Sequence, residues 1–220
     1  MTRVIVGALF LAFAVSSTAH GVGMAGDALG DGTLRAWLPA GFTALKTAVV
    51  TAFAYFVVVR PPSRRPARDP VAFAACAAAL FGGAALGGPS GGTGTATLLA
   101  GEALALVSCA WLLASVLTLG RCFGILPEAR GLVTRGPYRL VRHPVYLGEL
   151  GAFAGLVIAA PTAWNLAMAL LILVAQLVRM RLEERALERE FPEYGAYAAR
   201  TPRLVPVRLR PRPASGGSPS

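Results

Sequence analysis

The feature that most limits what this chain can become is its alternation of long apolar blocks with short arginine-rich stretches. A bilayer core of roughly 30 Å is crossed by about 20 helical residues. Blocks near that length occupy residues 4–19 (with weaker apolar character on to Met24), 38–59, 71–88, 96–119, 144–160 and 162–178. Hydrophobic residues make up 55% of the chain and charged residues 15%, well under the roughly 25% charged residues of a typical soluble domain. The expected fold is all-α, a polytopic transmembrane helical bundle of six spans. Residues 1–119 supply four spans, and 120–200 form a C-terminal core with a helical hairpin around Pro161 and a cytoplasmic amphipathic helix. Residues 201–220, rich in Pro, Arg, Gly and Ser, form a tail expected to be disordered.

Charge orients the spans. Arg60, Arg64, Arg65 and Arg68 follow the second block, and Arg121, Arg130, Arg135, Arg139 and Arg142 follow the fourth. Nine further arginines, from Arg179 to Arg212, follow the sixth. The opposite connections hold Arg35, Asp27 and Asp31. Basic loops stay in the cytoplasm, so both termini are expected there, in what the Arg-rich, Ala- and Gly-rich composition suggests is a bacterial inner membrane. The net charge of +10 sits between apolar blocks rather than on one stripe, which speaks against a nucleic-acid partner. Arg3 and Ser17-Thr18-Ala19 also fit a cleaved signal peptide, but apolar residues continue through Val22 and Met24, which favours an uncleaved span. Cys76 and Cys109 fall inside apolar blocks and Cys122 in a basic loop, which gives no disulfide framework. Lys46 and Glu102 are charges within spans and therefore candidates to pair with each other.

The densest polar stretch, residues 131–149, reads GLVTRGPYRLVRHPVYLGE. A residue before proline is pushed out of helical geometry, and proline is favoured at a helix's first position. His143 is therefore expected to cap a helix begun by Pro144. That helix start, with Arg139 and Arg142 beside it, suits a carboxylate or phosphate. Arg135 and Arg139 also fit simple contact with anionic headgroups. Gly151 and Gly155 share a helix face, as close helix packing requires. After the sixth block, Met180, Glu184, Leu187 and Phe191 fall on one helical stripe. An acid in an apolar stripe needs a partner, which makes Glu184 a site candidate. Glu183 lies about 100° round the helix, placed to reach the same site or to pair with Arg179. Glu188, Glu190 and Glu193 suit a solvated face.

These two stretches resemble the isoprenylcysteine carboxyl methyltransferase family, within the wider group that includes the phospholipid N-methyltransferases. The resemblance covers residues 119–206. Arg142, His143, Pro144, Tyr146 and Gly148 match its RHPxYxG block, with Gly136, Pro137 and Tyr138 as its GPY lead-in. Glu183 and Glu184 match its acidic pair, and Phe191, Tyr194 and Tyr197 its aromatic block. The resemblance implies S-adenosylmethionine as cofactor, held by Tyr138, His143, Pro144, Tyr146, Gly148, Glu183 and Glu184, with Glu184 and Arg142 in catalytic roles and no metal. It also implies methyl transfer to a lipophilic or small acceptor, a carboxylate, amine or thiol. Arg121-Cys122-Phe123-Gly124 replaces the family's aromatic-rich substrate loop, so the acceptor stays open, as does the oligomeric state. Two other readings stand beside this one. Membrane sterol and enone reductases that use NADPH share the arrangement, but carry Asn where this chain has Val145. A non-catalytic membrane protein with the same fold is the second.

Overall fold

The structure, a computed structural model, describes residues 2–61, 69–87, 93–126 and 129–205. Arg64, Arg65, Arg68, Arg208, Arg210 and Arg212, and the tail beyond residue 205, lie outside the described residues. Among those described, the chain is helical without strands. The helices are α1 (Thr2–Asp31), α2 (Leu34–Val59), α3 (Pro70–Ala84), α4 (Thr95–Leu119), α5 (Pro144–Ala159), α6 (Ala163–Glu190) and the short α7 (Tyr194–Arg200).

All six apolar blocks become helices; α3 stops at Ala84, short of the end of its block, while α1 and α2 run longer than theirs. α1 runs on past Met24 to Asp31, because no proline interrupts it and Gly32, at φ 68°, provides the left-handed residue that ends it. Thr33 then caps α2 by accepting from the amide of Ala36, which starts that helix four residues ahead of the apolar block. α1, α2, α4 and α6 are long and apolar enough to cross a membrane, whereas α3 and α5 have 15 and 16 residues, about 23 Å each. α6 has 28 residues and spans about 42 Å, so residues 179–190 project beyond its membrane-crossing part.

The helices pack as neighbours α1 with α2, α2 with α4, α4 with α5, and α3 with α6. Val49 of α2 meets Leu112 and Val116 of α4, with Phe53, Phe56 and Val145 around them. Ala75 and Ala79 of α3 meet Ala175 of α6. Leu9, Val15, Val22, Val107, Leu117, Leu166, Leu170 and Val174 point outward and are more than half exposed. A water-soluble bundle would bury such residues, whereas in lipid they cost nothing and association rests on close packing instead. That packing is tightest between α4 and α5, where Gly101 and Ala105 face Gly155, Ser108 faces Gly151, and Leu112 faces Gly148.

Long-range bonds sort the connections into two ends. Asn165 holds Gly87 through both its amide and its oxygen, and Trp164 donates to the carbonyl of Ala85. At the opposite end, Arg130 donates to the carbonyl of Pro61, while Cys76 and Arg179 both donate to that of Ile125. The basic connections among the described residues therefore gather at one end, with the projecting turns of α6. Lys46 lies 5.9 and 6.0 Å from the rings of Phe42 and Phe13, so its charge is met by aromatic faces rather than by Glu102.

Candidate functional site

The site is built where the start of α5 meets the projecting turns of α6. Gly136, at φ 57°, lets the chain turn tightly against Thr118, and a 3-10 turn follows at Gly136–Arg139. Tyr138 of that turn is buried, and its carbonyl accepts the hydroxyl of Tyr197 from α7 at 2.7 Å. His143 takes the N-cap position and Pro144 the first turn of α5, as their order in sequence requires. The imidazole makes no capping bond. Its own backbone amide donates to the carbonyl of Arg203 at 3.1 Å, and that of Arg142 to Pro202 at 2.8 Å. Residues 202–203 thus lie as a strap across the entrance to α5.

Glu184 is the centre. Its side chain is 8% exposed and holds three basic groups. His143 Nε2 lies 3.0 Å from Oε1, Arg142 Nη1 lies 3.2 Å from the same oxygen, and Arg203 grips both oxygens, through Nε at 3.1 Å and through Nη2. Burial alone would push the carboxyl up. The hydrogen bonds from His143 and Arg203, with the charges of His143 and Arg142, outweigh it and hold the group at about 2. Glu184 is therefore an acceptor only, so His143 presents Nε2–H to it. Two guanidinium groups and an imidazole share one negative charge, which leaves the site with a positive surplus.

Alongside lies a second group. Tyr146 donates its hydroxyl to Glu183 Oε2 at 2.9 Å, and Arg179 sits over the Tyr146 ring, 5.0 Å from its centroid. Arg179 donates to Gln176 at 2.8 Å, Gln176 donates to Glu149, and Glu149 lies 3.9 Å from Arg179. This buried polar chain fixes the Tyr146 ring from below while Glu183 fixes its hydroxyl from above.

Of the residues singled out in the sequence, the structure brings Arg142, His143 and Glu184 into direct contact, and Tyr146 with Glu183. Glu183 binds Tyr146 rather than Arg179, because Arg179 is engaged by Gln176, Ile125 and Glu149. Pro144 is fully buried, and its carbonyl accepts Trp111 of α4 at 2.9 Å. Gly148, expected to contact the cofactor, lies against α4. A Cβ there would meet Leu112 Cβ at 2.7 Å, so its face is spent on packing α5 against α4. Tyr138 contributes its carbonyl to Tyr197, and its buried phenol is pushed well up by burial.

Sequence reasoning missed Arg203, Gln176 and Glu149. Gln176 and Glu149 are polar residues within apolar blocks, and that signal was available. Arg203 lies in a stretch read as tail, although the resemblance runs on to residue 206.

Glu184 gives the site a pH dependence. Its folded value of about 2 lies below the ordinary 4.5, so the stability it confers is complete above pH 4.5 and is lost as pH falls through 2. The melting temperature of the detergent-solubilised protein should exceed that of Glu184→Gln by a margin that does not shrink between pH 8 and 5. The margin should narrow only below 4.5. Differential scanning fluorimetry checks this, and a margin that collapses near pH 6 contradicts it.

A bundle of apolar helices thus carries this charged centre at one end. Residues 92–194 match the phospholipid methyltransferase family, a stretch that takes in α4, α5, α6 and the first residue of α7. The chain is 36% identical over 97 residues to the cobalt-zinc-cadmium resistance protein CzcN of Cupriavidus metallidurans, covering 42% of this chain and 45% of that protein. It is 35% identical over 109 residues to the nickel-cobalt-cadmium resistance protein NccN of Alcaligenes xylosoxydans xylosoxydans, covering 46% and 50% respectively. The chain thus spans about half the length of the curated relatives it matches.

Proposed function

We propose that this chain is an integral membrane methyltransferase of a bacterial inner membrane. In this reading it uses S-adenosylmethionine from the cytoplasm and methylates a lipophilic or small acceptor. The observation that carries the reading is the meeting of Arg142, His143 and Tyr146 with Glu183 and Glu184 at one end of α5 and α6, inside the matched stretch.

The residues present fit the cofactor. Its amino-acid end carries a carboxylate, and Arg142 has a buried Nε with no hydrogen-bond partner. Its ribose hydroxyls and ammonium are donors, and Glu183 and Glu184 are acceptors of the matching kind. When bound, the cofactor supplies a sulfonium methyl that an acceptor takes by in-line displacement, a reaction that destroys a positive charge. What the protein must contribute is alignment and exclusion of water. Tyr146, locked between Glu183 and Arg179, supplies a rigid wall. Glu184 draws Arg142, His143 and the strap into one fixed arrangement before any ligand arrives. The apolar outer faces of the helices give a lipophilic acceptor access from the bilayer.

Calorimetric titration of the detergent-purified protein with S-adenosylmethionine and with NADPH tests the reading. We expect S-adenosylmethionine to bind, NADPH not to bind, and His143→Ala to lose the binding. Binding of NADPH alone would move the chain to the reductases, and binding of neither would leave the non-catalytic reading. Two relatives are named for resistance to cobalt, zinc, nickel and cadmium. From them we take only a setting, growth under metal stress, in which a strain lacking this gene is to be compared with its parent.

A further inference from the structure

Tyr194 and Tyr197 open α7 and pack edge to face, with ring centroids 6.1 Å apart. Both are buried, at 1% and 4% exposure, yet their hydroxyls have different fates. Tyr197 spends its hydroxyl on the carbonyl of Tyr138. The Tyr194 hydroxyl has no acceptor for its proton, since the side chain it interacts with is Arg142, itself a donor. A buried hydroxyl proton without an acceptor is costly to keep, and natural cores retain few of them. Its placement is not loose, because the Tyr194 amide donates to the carbonyl of Phe191 at 3.0 Å.

The neighbour of that hydroxyl is Arg142, which is itself incompletely used. Nη1 of Arg142 goes to Glu184 at 3.2 Å, while its Nε is buried without a partner. Two unspent donors therefore lie together beside a centre that already carries more positive than negative charge. Burial first, and then the charge of Glu184, push the Tyr194 phenol up to about 12. It stays protonated at neutral pH and is available to donate. A neutral donor and a cationic donor side by side, with a positive surplus behind them, are complementary to a carboxylate.

We propose that Tyr194 is a ligand-binding residue of this site, its hydroxyl and the Nε of Arg142 together receiving the carboxylate end of the bound molecule. The inference deepens the methyltransferase reading and rests on it, assigning the carboxylate of S-adenosylmethionine to this donor pair. Glu183 and Glu184 are then left for the ligand's donors, and the strap residue Arg203 keeps Glu184 in place.

The test compares wild type with Tyr194→Phe, each titrated with S-adenosylmethionine and with its decarboxylated analogue, and each melted without ligand. Loss of one hydrogen bond to a charged group weakens binding roughly tenfold or more. The variant should bind S-adenosylmethionine at least about tenfold more weakly than wild type. The decarboxylated analogue should bind both proteins alike. The ligand-free variant should melt no lower than wild type, since the hydroxyl donates to nothing in the protein and Arg142, the side chain beside it, keeps its bond to Glu184. A lower melting temperature would show the hydroxyl to be structural and overturn the proposal. So would equal affinity for S-adenosylmethionine in the two proteins, or an equal loss with both ligands. If the wild type fails to bind S-adenosylmethionine at all, the methyltransferase reading falls and this assignment falls with it, an outcome distinct from binding that Tyr194→Phe leaves untouched.

Discussion

Glu184→Gln abolishes measurable binding of S-adenosylmethionine and lowers the melting temperature of the solubilised protein by roughly 5–10 °C. The expectation follows from what the carboxylate holds. Arg142, His143 and Arg203 all converge on it, and an amide can neither neutralise them nor accept on both of its terminal atoms. Removing one partner from a buried ion pair costs about 3–5 kcal/mol, chiefly through the charge left behind. Arg203 is 41% exposed on its side chain and Arg142 17%, so water screens part of the loss and the lower end of that range applies. At this chain length each kcal/mol moves the transition by about 2–4 °C. Binding suffers more than stability, because the three freed groups no longer hold the arrangement that meets the ligand. Glu188→Gln is the control. Glu188 is exposed on the same helix, one turn further on, and its loss should shift neither quantity beyond about 0.5 kcal/mol. Wild-type affinity in Glu184→Gln would remove Glu184 from the site.

How much of this was legible beforehand depends on the distance over which each signal acts. The helices were legible because a bilayer allows few alternatives and their signal is local. The N-cap position of His143 was legible because Pro144 dictates it. Its partner was not, because the imidazole is turned by Glu184, 41 residues away. Glu184 itself stood out as an acid in an apolar stripe, flanked one turn before by Met180, which is fully buried. Arg203 was hidden by its surroundings. The residues after Arg200 read as a disordered tail, and only the backbone pairing of Pro202 and Arg203 with Arg142 and His143 carries that arginine into the site. No period or composition encodes such pairing. At Gly148 a motif match implied a ligand contact, and the structure adds the helix-packing role that was read for Gly151 and Gly155.

That packing surface carries the second large effect. Gly155→Leu should leave little well-folded protein in mild detergent, with a melting temperature at least 10 °C below wild type in what remains. A Cβ at Gly155 would stand 2.5 Å from the carbonyl oxygen of Gly101 and 2.6 Å from the amide nitrogen of Ala105. Both obstacles are backbone, so no side-chain rotation relieves them, and α5 must move off α4. Overpacking costs of 1–3 kcal/mol assume neighbours that can yield, and here the cost should exceed about 3 kcal/mol. The displacement also reaches the site. Pro144 is tied to α4 through Trp111 at 2.9 Å, and Gly148 rests on Leu112. Moving α5 therefore withdraws His143 from Glu184, although Gly155 lies about 18 Å along the helix from it. Gly26→Leu separates this effect from a general intolerance of bulk, because nothing lies within 4 Å of a Cβ at Gly26 in α1. It should melt at or slightly above wild type, helped by the better helix propensity of leucine. A Gly155→Leu protein that melts within about 2 °C of wild type would mean that α5 is not seated on α4 at these glycines. Its hold on the start of α5, and so on His143, would then have to come from the strap at residues 202–203 alone.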